Sequence, residues 1–219
     1  MRNSTSEPVL FTNSGTFSNT GTLEFDNYAS SGRLSLHNSG ELTNTGNMWL
    51  QASDLFISNT GTISNYGHIE NYVSTSSSEL NNSGSFYNHG LVYDQSMAIN
   101  NSGYFENNSG MEAQILNNLT AGVFNNQYGA GVGVNHMSNH GNVQNAGGMT
   151  FISDNPLYNP ATLTNYSEFT NLGQLVFENN SRVVFNNFGV FTQQGYIDNR
   201  SDNIAVSYTH LRAHETKAN

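Results

Sequence analysis

Histidines, carboxylates and hydroxyls are the side chains of this sequence that could do chemistry, and their spacing gathers few of them. His136 and His140 stand four apart in HMSNH, a separation that aligns two metal ligands on a helix but not across a strand and turn. His140 lies between Asn139 and Gly141 as His89 lies between Asn88 and Gly90, so both read as surface positions of a repeat. His210 and His214 share the spacing without a third ligand beside them. Glycoside cleavage wants two acids about 5–10 Å apart across a groove. Glu24, Asp26, Glu41, Asp54, Glu70, Asp94, Glu106 and Asp154 are instead scattered singly, and read as solubilising charges on solvated faces. GAGVG, residues 129–133, lacks the Lys and the following helix of a phosphate cradle. The absence of Cys removes thiol nucleophiles and disulfides. No catalytic, cofactor-binding or metal-binding residue is assigned, and the reading is non-enzymatic.

The hydroxyls are more orderly. Thr12, Ser14, Thr16, Ser18, Thr20 and Thr22 alternate with other residues and would share one outward face, and Ser58, Thr60, Thr62 and Ser64 repeat this later. Such an array resembles the ice-binding face of some β-solenoid antifreeze proteins. Tyr87, His89, Tyr104, Glu106, His140 and Gln144 occupy the equivalent places elsewhere, and the preference of Thr for strand surfaces accounts for the rest. Glycosylation sequons begin at Asn3, Asn107, Asn118, Asn165, Asn179 and Asn199, among others; in so Asn-rich a chain several arise by chance.

The elements that position these groups follow from a repeated phrase. Asn, at 36 of 219 residues, is the commonest residue, with 21 Gly, 3 Pro and 10% charged residues. Asn, Ser, Thr and Gly disfavour helix, while 13 Phe and 11 Tyr argue against disorder. Apolar-x-Asn-x-Gly recurs with Asn13 and Gly15, Asn19 and Gly21, Asn38 and Gly40, Asn44 and Gly46, Asn59 and Gly61, Asn65 and Gly67, Asn82 and Gly84, and Asn88 and Gly90. It continues with Asn101 and Gly103, Asn139 and Gly141, Asn145 and Gly147, Asn171 and Gly173, and Asn187 and Gly189. Looser copies lie at 116–126, at Leu163 and Asn165, and at Phe191 and Gly195. Pairs of phrases begin near positions 11, 36, 57, 80, 99, 118, 137, 163 and 185, roughly 19–26 residues apart, which is the period of a solenoid.

Alternation with period two makes it a β-solenoid: all-β, parallel, about nine coils, favoured as right-handed for want of an uninterrupted hexapeptide array. A Greek-key sandwich or a stacked-hairpin sheet is the alternative. The apolar residue points inward. Asn follows it at a bend, bonding backbone or stacking on the equivalent Asn of the next coil. Gly supplies either positive φ for a turn or room for close backbones. Residues 126–135 (NQYGAGVGVN) and 155–160 are expected to bulge from the rod as insertions.

The expected organisation is a lead-in over 1–8, the solenoid over 9–203 and a tail over 204–219. That tail leaves the repeat pattern, and its VSYTHL string resembles translated sequencing-adapter read-through. The phrases LTNTGNM, ISNTGTISNYGHIEN and LNNSGSFYNHG resemble the coils of filamentous-haemagglutinin-type adhesins and autotransporter passenger domains. The resemblance spans about residues 9–200 and implies a fragment of a secreted or cell-surface rod that contacts a host or environmental surface, glycans included. The opening MRNSTSEPVL does not read as a secretory signal, and no apolar run is long enough to span a membrane. A net charge of −10 with six Lys plus Arg argues against nucleic acid as partner. Strand edges at the ends of a solenoid could pair copies end to end.

Overall fold

The computed structural model describes residues 7–27, 32–73, 77–152, 160–178, 182–200 and 203–208, with backbone alone for 26–27 and 203–208. All regular structure among them is β, and every pairing is parallel and joins one coil to the next. The chain is a parallel β-solenoid of about eight turns. Each coil lays down three strands, as Arg33–Asn38, Glu41–Asn44 and Asn47–Ala52 do in the second coil, before Asp54–Asn59 opens the third. The middle strands stack into a nine-stranded sheet. The first and third faces merge into one of sixteen strands, because Leu91–Asn101, Gly110–Asn118 and Gly131–Asn139 run through the third corner without a break.

Alternation of side chains builds the core. Within Glu41–Asn44, Leu42 and Asn44 face inward and Glu41 and Thr43 outward, and the pattern recurs from rung to rung in strict register. Like residues therefore stack on like: Phe86, Phe105 and Phe124 lie one above another with centroids 4.7 and 5.3 Å apart. Ring stacking adds to the burial of apolar surface that drives such a core.

The two corners that close the middle strand explain the phrase. At the first, the Nδ2 of Asn13 donates to Asn38 Oδ1, Asn38 to Asn59, and Asn59 to Asn82, each at 2.8 Å. The ladder goes on through Asn101, Asn118, Asn139 and Asn165 to Asn187. At the second corner a parallel ladder runs from Asn19 through Asn44, Asn65, Asn88, Asn107, Asn126, Asn145 and Asn171 to Gln193. Each amide also donates to backbone carbonyls, Asn38 for instance to Gly40 O and Thr62 O, so these buried groups are satisfied. In both corner ladders the side-chain amides donate toward the C-terminal end. The corner backbone amides, Ser39 N to Asn13 O among them, donate the opposite way, so the two sets of dipoles oppose and stabilise each other.

Of the two roles open to the corner Gly, close approach is the one found. A Cβ on Gly40 would sit 2.0 Å from Gly15 O, and one on Gly46 1.9 Å from Gly21 O. The later corners correct the positive-φ alternative in the same way. None of Gly141, Gly147, Gly173 and Gly189 has positive φ, and a Cβ on them would lie 2.2, 2.3, 2.1 and 2.2 Å from the carbonyl oxygens of Gly122, Ala130, Gly147 and Ser167 in the coil below. These Gly thus make room for the ladders, whose side-chain bonds belong to the Asn alone. Ser109 and Ser167 take the place in two rungs, so the crowding belongs to individual corners. Positive φ among the described residues is confined to Ala121 and Gly129, in the two enlarged corners.

Two further expectations are corrected. Only 127–130 of the Gly-rich stretch forms a turn, since residues from Gly131 onward join the strand Gly131–Asn139. The sixth pair of phrases begins at Leu116 rather than 118, because Leu116 pairs with Ile99 and Met137. The stretch 155–160 lies outside the described residues but for Pro160. Asn203–Tyr208 pairs in register with Arg182–Asn187, and nothing after it is described.

Candidate functional site

The Ser and Thr singled out in the sequence do face outward. Thr12, Ser14, Thr16, Ser18, Thr20 and Thr22 are exposed on the first coil, as is Thr60; Ser58, Thr62 and Ser64 are half-buried among neighbours. Register shows what each column becomes. Above Ser18, Thr43 and Ser64 stand Tyr87 and Glu106. At the first corner Ser39, Thr60, Ser83 and Ser102 turn their hydroxyls toward the ladder carbonyls of the coil below, at 3.4–3.5 Å. Higher up that corner carries rings instead: His140 stacks on Tyr166 at 4.4 Å, and Tyr166 on Phe188 at 5.2 Å. His136 lies outward with Nδ1 3.0 Å from Thr162 Oγ1. No group of three metal-capable side chains occurs among the described residues. Asn107, Asn118 and Asn165 are ladder members with no exposed surface, so these three sequons are closed to a glycosyl donor in the folded rod.

The scattered acids behave differently from one another, and two overturn the solvated-face reading. Along the third face one column reads Phe25, Leu50, Asn71, Asp94, Ala113, Val134, Phe151 and Phe177 and ends on the exposed Asn199. Within its buried part Asn71 and Asp94 interrupt an otherwise apolar stack in the third and fourth coils, and Asp94 is only 1% exposed. A buried carboxylate needs partners, and the corner supplies them. Asp94 Oδ1 accepts from Ser96 N at 2.9 Å and Ser96 Oγ at 2.7 Å, and Oδ2 from Asn71 Nδ2 at 3.1 Å. Asn71 is held in turn by Ser78 Oγ and the backbone of Ala52.

Glu70, 5% exposed, lies on the outward side of the same sheet. His68 Nδ1 is 2.6 Å from its Oε1, and the Tyr72 hydroxyl donates to Oε2. That bond and partial burial beside the carboxylate raise the Tyr72 pKa. Burial, with Glu112, Asp94 and Glu70 nearby, raises that of Tyr93. Trp49, in register with Glu70, completes an aromatic file: Trp49 to Tyr72 is 5.8 Å and Tyr72 to Tyr93 is 5.9 Å between centroids. The Trp49 Nε1–H is buried without a hydrogen-bond partner among the described residues. Beside the file opens a cavity of about 320 Å³ lined by Asn71, Tyr72, Val73, Tyr93, Asp94, Gln95, Ser96 and Gln114.

Because Glu70 pairs with Tyr93, and Asp94 follows Tyr93 in the strand, the two carboxylates point to opposite faces of one sheet. They do not form the acid pair that glycoside cleavage requires. Aromatic faces, amides and hydroxyls gathered at a recess can instead bind a ligand without transforming it. Comparison with protein-family models, curated proteins and solved structures finds no match for this chain.

Proposed function

We propose that this chain is a segment of a non-catalytic rod that works at a cell surface or after secretion and presents side chains for adhesion to a host or environmental surface. The observation carrying the reading is that two side-chain ladders and a stacked core persist through every coil while the outward columns change residue type from rung to rung. A frame specified from within leaves its outside free for recognition, as expected of solenoids, whose repeated coils create long binding surfaces. The likeness of the phrases to filamentous-haemagglutinin-type coils supports the same reading, and the net charge of −10 favours partners other than nucleic acid. Ice binding is the weaker reading, because the hydroxyl column of the second face gives way to Tyr87 and Glu106. Beads coated with the protein should adhere to cells or polymer films above the level of beads coated with an inert protein. Adhesion at background on every surface tried, or thermal hysteresis, a freezing point held below the melting point by the free protein, would count against it.

A further inference from the structure

The third corner of the third and fourth coils is built at a cost that stability does not explain. Asn71 and Asp94 stand where the buried part of the same column otherwise carries Phe, Leu, Val or Ala, a polar residue recurring only at the exposed Asn199, and burying hydrogen-bonded polar groups there is at best neutral relative to apolar packing. Their effect is local. Asn71 Oδ1 accepts from Val73 N on one side and Asp94 Oδ1 from Ser96 N on the other, and the cavity lies between these two turns of the chain. Tyr72, 55% exposed, presents most of its ring to solvent, while its hydroxyl is fixed on Glu70.

We infer that this corner is a binding site for a neutral polysaccharide, with Tyr72 and Tyr93 as stacking platforms, Trp49 as the inner end of the file, and the amides of Gln95 and Gln114 as hydroxyl-binding groups. Three features select that ligand. Tyr72, 55% exposed and braced between Trp49 and Tyr93, offers at the recess an aromatic face with a polar rim, which suits the apolar face of a pyranose with its surrounding hydroxyls. Amides that donate and accept suit hydroxyls, and Gln95 is already oriented by a 2.8 Å bond from its Nε2 to Glu112 Oε1. Asp94 lines the recess, and Glu70 and Glu112 stand behind its Tyr72 and Gln95, so the local negative charge repels uronates, sulfated glycans and nucleic acid and leaves an uncharged chain as occupant. The inference rests on the adhesive reading and gives it a chemical target.

Trp49 is the chain's single tryptophan, so intrinsic fluorescence reports on this corner alone. The test titrates the protein with soluble neutral polysaccharides (xyloglucan, mixed-linkage β-glucan, galactomannan and hydroxyethylcellulose) and with polygalacturonate as the charged control. Affinity gel electrophoresis of the same proteins runs in parallel. A saturable fluorescence change with at least one neutral polymer and none with polygalacturonate is expected. Tyr72→Ala and Gln114→Ala should each weaken that binding by about tenfold or more, as central interface residues do, while Tyr166→Ala, an exposed ring at the first corner, should leave it unchanged. Far-UV circular dichroism shows that each variant is folded, and Tyr72→Phe keeps the ring if Tyr72→Ala does not fold. No response to any neutral polymer overturns the inference, as does binding that survives Tyr72→Ala and Gln114→Ala. If coated beads still adhere to a surface in that case, the adhesive rod stands and only its glycan target falls; if they adhere to nothing, both fall.

Discussion

Substituting Asn88 isolates what the ladders contribute. Asn88 has no exposed surface; its Nδ2 donates to Asn107 Oδ1 at 2.8 Å and Gly110 O at 2.9 Å, and its Oδ1 accepts from Asn65 Nδ2 at 2.9 Å. Asn88→Ala strips Asn107 Oδ1 of its ladder donor and leaves a small void, whereas Asn65 keeps bonds to Gly67 O and Leu91 O. One buried acceptor left unsatisfied costs about 1–3 kcal/mol, and the void adds roughly 1 kcal/mol, so the loss should be about 2–4 kcal/mol. Asn13→Ala is the contrast: it too strips a ladder acceptor, Asn38 Oδ1, but Asn13 lies in the first described coil and is 8% exposed, so water can take the place of its amide. Its loss should stay near about 1 kcal/mol. Asn88→Asp sharpens the test, because a buried carboxylate facing Asn107 Oδ1 has its pKa raised. Its destabilisation should be largest at neutral pH, and should shrink as the pH falls through that raised value and the acid regains a proton to donate. Urea unfolding followed by circular dichroism and by Trp49 fluorescence measures all three, and coincidence of the probes checks that unfolding is cooperative, which repeat proteins do not guarantee. Equal costs at positions 88 and 13, or an Asn88→Ala cost below about 0.5 kcal/mol, would refute the reasoning.

Other expectations follow from the same geometry. Gly84→Ala places a Cβ 2.1 Å from Gly61 O and should lower the urea midpoint by the equivalent of about 1–3 kcal/mol, whereas Gly131→Ala meets nothing within 4 Å and should leave it nearly unchanged. Glu106 has its pKa lowered, chiefly by the hydrogen bond from Tyr104. Its contribution to stability is therefore present above its unfolded value and lost as the pH falls through the lower folded one, and Tyr104→Phe should flatten the acid limb of a stability–pH profile. Tyr93 and Tyr104 have raised values, mainly from burial. Their contribution is intact below the unfolded value and is lost as the pH rises through the folded values, so the alkaline limb should begin only above about pH 10. Replacing Asn71 and Asp94 together by Leu, the residue at position 50 of the same column, should cost less stability than Asp94→Leu alone, which strips Asn71 Nδ2 and Ser96 of their acceptor, as thermal melts of the two variants would show.

The fold was legible because its determinants are local. Each phrase places an inward apolar residue, an inward Asn and a tight corner within six residues, and register copies the unit upward. Legibility failed where the Gly was replaced or displaced. Asn107 precedes Ser109, Asn118 lies four before Gly122, and Asn165 precedes Ser167. Asn118, Asn126 and Asn165 therefore stand out as looser copies of the phrase, and Asn107 only as a sequon, although all four belong to the ladders. The outward doublets, Asn81, Asn100 and Asn117, went unnoticed too, yet they form a short ladder of their own at 2.9 Å. The third corner was hidden for another reason. Whether Glu70 and Asp94 face water depends on the strand's phase, which no single acid discloses. The phase was nevertheless present: four residues beyond the second-corner Gly stand Phe25, Leu50, Phe151 and Phe177, but Asn71 after Gly67, Asp94 after Gly90 and, in the last such turn, Asn199 after Gly195. Counting from that Gly would have marked the pair as polar residues in a largely apolar column.

The central claim is that the inside of the rod holds its shape while the outside does the binding. The most direct test compares wild type, Tyr72→Ala and Asn88→Ala for adhesion of coated beads and for thermal unfolding in the same buffer. The account predicts that wild-type beads adhere, that Tyr72→Ala melts close to wild type yet adheres less, and that Asn88→Ala melts lower while adhering as wild type does below its transition. Wild-type beads that adhere to nothing, or adhesion that follows melting temperature across the variants, would contradict it.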